Sequence, residues 1–170
     1  MLKFLVKNMK KAEFIIAWFI AICLGAVMHM AHEWAELGHG VYYILPINEC
    51  VWEHMKMIFY PMLLFALYLC LKKGSPERFS GPVLANILAI PVQTGLFFVY
   101  YPFTHHSVLI VDIIAYALVM AAAMWLGYRW SSRARLGKLW PLFVLIAIAE
   151  GVLMAYLTYN PMDNFLFNIK

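Results

Sequence analysis

The sequence predicts an all-α integral membrane protein: one membrane domain over residues 1–170, with five transmembrane helices, the N-terminus cytoplasmic and the C-terminus extracytoplasmic. Three observations predict it. The chain is 65% hydrophobic and only 13% charged, well beyond the apolar share of ordinary soluble domains. Five stretches, about 13–33, 49–71, 82–102, 107–128 and 139–159, each supply the roughly 20 mostly apolar residues that a spanning helix needs. The basic residues are sorted: four precede the first stretch, three join the second to the third, and four join the fourth to the fifth, eleven of the 13 in the chain. By the positive-inside rule these three segments are cytoplasmic. That asymmetry accounts for the net charge of +4, and basic residues confined to short loops beside lipid give no reason to expect nucleic acid as a partner.

The first span follows Lys3, Lys7, Lys10 and Lys11 and could be mistaken for a signal peptide. Its apolar run is long for such a segment and continues into a charged, helix-like stretch, so an uncleaved span is expected. The stretch "ELGHGVYYILPIN" carries glycines, paired tyrosines and Pro46, the composition of a structured interfacial loop. Asn48 suits the N-cap of the second span and Glu49 its first turn. Pro61 within that span frees a carbonyl one turn above it. The connections "KKGSPERFSGP" and "RWSSRARLGK" are short and rich in turn formers, as antiparallel neighbours require. "YPFTHHS" is a tight turn between the third and fourth spans, and Phe165, Leu166 and Phe167 can fold back on the membrane surface or cap the bundle. Cys23, Cys50 and Cys70 lie at different depths and form no CxxC, which argues against a disulfide framework or thiol redox chemistry.

All six histidines, with Glu33, Glu36, Glu49, Glu53 and Asp112, map to the outer half. At 100° per residue, Glu49, Glu53, Lys56 and Tyr60 form one polar stripe on the second helix, with His54 pointing nearly the opposite way. His29, Glu33 and Glu36 share a face of the first helix, with His32 at its edge; Asn86, Gln93 and Tyr100 align on the third, and Asp112 and Tyr116 on the fourth. Glu150 is the deepest acid, in the fifth. The economical packing turns the stripes toward a common interior. Taken singly, Glu49 is a helix-start acid, and Glu53 and Lys56 an i, i+3 ion pair. Together, so many carboxylates beside one lysine call for shared protons or a bound cation.

Histidine beside carboxylate suits zinc, manganese or iron. "HEWAELGH" is HExxE rather than HExxH, and "CVWEH" has Cys50 where an HxxEH motif has His, so neither is a protease signature. No phosphate-loop, dinucleotide or haem-attachment motif is present.

"PINECVWEHMK", residues 46–56, resembles the hallmark Pro-Val/Ile-Asn-Glu-Ser-Val-Trp-Glu-His-x-Lys of a family of small bacterial membrane proteins without established activity. The similarity extends to His29 and Glu33 in "HMAHEW", Asp112 in "VDI", and the "TYNP" and "FLF" tail; Cys50 departs from the family's Ser. The resemblance implies five spans in a bacterial plasma membrane and points to His29, Glu33, Glu49, Glu53 and His54.

The favoured expectation is an outward-facing His/carboxylate pocket holding a divalent metal in a hydrolase-like enzyme acting on a lipid or lipid-linked substrate. His29, Glu33, Glu53 and Asp112 are the expected ligands. Glu49 is the expected acid/base, and Lys56 the stabiliser of developing negative charge. His32, Glu36, His54, Gln93 and Glu150 are further pocket candidates. The sequence leaves two alternatives open. One is a cation- or proton-coupled transporter with Gln93 and Glu150 on the path, which with five spans requires a homo-oligomer. The other is a non-catalytic accessory or sensor subunit.

Overall fold

A proline, two glycine-tight crossings and a buried lysine explain most of how the helices pack. The computed structural model describes residues 9–34 and 39–168, without the side chains of residues 32–34 and 39. Its long helices are α1 (Lys11–Trp34), α3 (Lys56–Lys73), α4 (Ser80–Thr104), α5 (Leu109–Trp130) and α7 (Trp140–Tyr159). Short turns of helix, α2 (Val51–His54), α6 (Ala134–Gly137) and α8 (Phe165–Asn168), fill the connections, and 3₁₀ turns lie at His39–Tyr43 and Pro76–Phe79. No strand occurs among the described residues. Five helical stretches, Lys11–Ala31, Val51–Lys73, Pro76–Thr104, Leu109–Trp130 and Trp140–Tyr159, are long and apolar enough to cross a membrane.

The second of these is the central one. Half of its most apolar window is buried, against 17–28% in the other four, although its hydropathy is the lowest. A helix surrounded by protein can carry polar groups that one facing lipid cannot. Ile58, Met62, Phe65 and Leu69 of α3 pack against Ala85 and Ala89 of α4 and Met120, Ala123 and Met124 of α5. Large apolar side chains elsewhere point out of the bundle: Phe19, Val99, Phe103, Ile110 and Leu145 are all more than 60% exposed. This reversal of the usual pattern suits a protein whose surroundings are hydrocarbon.

Pro61 sits inside α3 and has no N–H for the carbonyl of Met57. The Tyr116 hydroxyl of α5 donates to that carbonyl at 3.0 Å, and lies 3.3 Å from the Ala21 carbonyl of α1. Gly25 permits this approach, since a Cβ there would stand 2.1 Å from the Tyr116 oxygen. Tyr116 therefore links three helices at the point where α3 lacks its own hydrogen bond. Tyr116→Phe should cost about 1 kcal/mol, the typical worth of such a bond. In a Pro61→Ala background the restored N–H takes over and the cost should fall toward zero, read as a double-mutant cycle of unfolding in detergent.

The basic end is tied by Glu13, which accepts from Lys72 and Tyr68, and by Arg78, which donates to the Ser131 carbonyl at 3.0 Å and Ser132 Oγ at 2.8 Å. At the other end the C-terminal tail caps the bundle. Phe167 stacks on Trp52 with ring centroids 5.4 Å apart, and Phe165 meets Phe98 edge-on at 5.1 Å.

Candidate functional site

The start of the second span departs from a regular helix, and this decides which side chains meet. Asn48 Oδ1 accepts from the Cys50 N–H at 2.9 Å, an Asx turn rather than a helix cap. The helix begins only at Val51 with Cys50 as N-cap, so Glu49 stands in the preceding loop. The first turns are tightened, with i to i−3 bonds from Glu53 to Cys50, Met55 to Trp52 and Ile58 to Met55.

Glu53, Lys56 and Tyr60 do share a stripe, but it faces the 39–47 loop rather than a cavity. Lys56 is fully buried, and Nζ donates to the Tyr42 carbonyl at 2.9 Å, the Leu45 carbonyl at 3.1 Å and Glu53 Oε2 at 2.7 Å. All three ammonium donors are used. Glu53, 1% exposed, also accepts from the Ile47 N–H at 3.1 Å and, through Oε1, from the Thr158 hydroxyl of α7 at 2.8 Å. Tyr60 donates to the Tyr43 carbonyl at 2.6 Å. Lys56 is thus a loop anchor rather than a stabiliser at a pocket floor, and Glu53 is its counterion rather than a partner of His29. The sequence could not give this arrangement, because loop carbonyls leave no mark on side-chain periodicity.

Glu49 turns instead to the face that carries His54. Its Oε2 lies 3.6 Å from His29 Nε2 and 3.6 Å from His54 Nε2, and the two rings meet edge-on at 5.0 Å. His54 Nδ1 lies 2.9 Å from the Cys50 carbonyl. A carbonyl only accepts, so Nδ1 carries a proton, and Nε2 is the ring atom turned toward Glu49 and His29. One ligand atom from each of His29, Glu49 and His54 lies within 4.8 Å of the others. The three side chains are between about a quarter and a half exposed, so the group is open to solute.

A cavity of about 170 Å³ adjoins the three residues, lined also by Gln93, Asp112 and Tyr116. Asp112 Oδ1 accepts from the Tyr100 hydroxyl at 2.6 Å; its other oxygen has no hydrogen-bond partner among the described residues. Gln93 Oε1 is buried without a partner among them. Glu150 lies apart from the cavity lining, with Asn86 Nδ2 3.4 Å from its Oε2. The expected convergence of four stripes is therefore partial: α1, α4 and α5 meet at the cavity, and Glu53, Lys56 and Glu150 do not line it. The side chains of His32 and Glu33, and Glu36 altogether, lie outside the described residues.

A model described as a family of unknown function, DUF6512, matches residues 2–169. The chain belongs to DUF6512. No curated protein and no solved structure matches it. In this DUF6512 chain the stretch PINECVWEHMK performs two separate tasks. Glu53 and Lys56 fasten the preceding loop to α3 and α7, while Glu49 and His54 face the cavity.

Proposed function

We propose that the protein is a multi-pass membrane metalloenzyme in which His29, Glu49 and His54 hold one divalent zinc, manganese or iron ion on the extracytoplasmic side, for metal-assisted hydrolysis. The observation that carries the reading is the position of Glu49 Oε2, 3.6 Å from the Nε2 atoms of both histidines. In a tetrahedral site with bonds of roughly 2.1 Å, ligand atoms stand about 3.4 Å apart, so small side-chain adjustments would suffice. The Cys50 carbonyl on His54 Nδ1 is the kind of outer contact that fixes a ligating imidazole.

Two histidines and one carboxylate leave coordination positions for water and substrate. A metal there would acidify bound water and polarise a carbonyl or phosphoryl oxygen. Asp112, on the cavity wall with one oxygen held by Tyr100, is the residue to receive and return the proton. In this reading Glu49 becomes a ligand and Asp112 the acid/base, the reverse of the roles expected from the sequence. The sorting of basic residues supports an extracytoplasmic site in a cell membrane.

Transport of a cation or proton is the second reading, favoured by the Asn86 and Glu150 pair between α4 and α7. Elemental analysis of tag-free, detergent-purified protein tests the first. Wild type should carry near-stoichiometric metal, and His29→Ala, Glu49→Gln and His54→Ala should each weaken it by more than the roughly 10- to 100-fold that loss of a ligand's outer partner costs. Folded Glu53→Gln and Glu150→Gln should retain it. A metal-free wild type that cannot be reloaded, or a His54→Ala protein that keeps its metal, would count against the assignment.

A further inference from the structure

We infer that the cavity beside the His29, Glu49 and His54 group binds an amphiphile, with its polar linkage at that group and its apolar chain against the wall that α4 and α5 supply. The inference rests on the metal reading above and adds the substrate class. The cavity is divided in character. Its polar residues, His29, Glu49, His54, Asp112 and Gln93, are joined by a wall that includes Ile90, Phe97, Leu109 and Ile113. Leu109 and Ile113 are 68% and 54% exposed, so the wall belongs to the same α5 surface that faces out of the bundle. That wall gives an apolar chain a surface to lie against beside the polar group.

Size limits what enters. An apolar cavity of roughly 150 Å³ accommodates a benzene-sized molecule, and this one measures about 170 Å³. It takes a head-group linkage and the first part of a chain, leaving the remainder in the bilayer. Gln93 adds a chemical requirement. Its Oε1 is buried with no partner among the described residues, and a buried acceptor calls for a donor. A ligand hydroxyl or amide N–H next to the linkage supplies it.

The test compares dodecanohydroxamic and acetohydroxamic acids, which share a metal-binding head with an N–H and differ in chain. Binding is read from the visible spectrum of cobalt-loaded protein in phosphatidylcholine nanodiscs, and partition of each probe into protein-free discs is measured so that affinities refer to the free aqueous probe. Wild type should prefer the long chain by at least about a hundredfold, since each buried methylene adds several-fold. Thr94→Trp, which fills the cavity from α4, should weaken dodecanohydroxamate far more than acetohydroxamate and so remove most of the preference, while leaving cobalt uptake unchanged. Gln93→Leu should weaken both probes about fivefold to tenfold, the worth of one hydrogen bond. Cobalt uptake with equal corrected affinity for the two acids would overturn this inference and leave the metal reading standing, as would a preference that survives in folded Thr94→Trp. No cobalt uptake by the wild type would overturn both.

Discussion

Lys56→Met is expected to destabilise the protein by about 3–5 kcal/mol, the cost of leaving one member of a buried ion pair without the other. The substitution removes the counterion of Glu53, which is 1% exposed, and strips the Tyr42 and Leu45 carbonyls of their shared donor. Glu53→Gln alone should cost less, because the amide oxygen can still accept from the Ile47 N–H and Lys56, while its NH2 group can donate to the Thr158 hydroxyl, which keeps the Met154 carbonyl as its own acceptor. The double variant Glu53→Gln, Lys56→Met should recover part of the Lys56→Met loss, since no unpaired charge is then buried. Denaturation in detergent across this four-protein cycle reads the coupling. If Lys56→Met and the double variant prove equally unstable, charge burial is not the cause. The loop fastened by Lys56 leads into Glu49, so metal affinity should fall in Lys56→Met even where the protein remains folded.

The five long helices were legible because span length and apolar content are properties of composition. The expected 82–102 and 139–159 correspond to Ser80–Thr104 and Trp140–Tyr159, and the expected 107–128 to Leu109–Trp130. That His29, Glu49, His54 and Asp112 lie toward one end of these helices was legible from their positions along the spans. Which of them meet was not. A wheel at 100° per residue assigns Glu49 to the stripe of Glu53 and Lys56, and that holds only if the helix begins at Asn48. The Asx turn at Asn48 and Cys50 delays it to Val51, and Glu49 then joins His54 and His29 instead.

Lys56 shows a second limit. A lysine near the end of an apolar span reads as one that snorkels to water or lines a pocket, because the sequence does not reveal that two backbone carbonyls from a preceding loop surround it. Pro61 is the converse case. The sequence says that a carbonyl is freed, and the structure supplies the donor, Tyr116, 59 residues along the chain from that carbonyl. Gln93 was legible as polar and inward, but its unpartnered oxygen, which points to a ligand, is a fact of packing alone.

Gly81→Ala is expected to separate the stability of the bundle from the metal group. The first turn of α4 meets the last turns of α5 so closely that a Cβ on Gly81 would stand 2.2 Å from the Ser131 nitrogen and 2.5 Å from the Gly127 carbonyl oxygen. A Cβ on Gly127 would lie 2.8 Å from Pro82 Cα. These neighbours are backbone, so no rotamer change relieves the contact and the helices must move apart. Backbone shifts forced by one added methyl cost about 1–3 kcal/mol, and Gly81→Val, adding two further methyls at the same place, should prevent stable folding. Helices α4 and α5 also carry Gln93 and Asp112 on one side of the cavity, whereas His29, Glu49 and His54 come from α1, the loop before α2, and α2 itself. Folded Gly81→Ala should therefore bind metal as wild type does and lose most of its preference for a long-chain probe. Loss of metal with the preference intact would mean that the α4 and α5 crossing supports the ligands rather than the cavity wall.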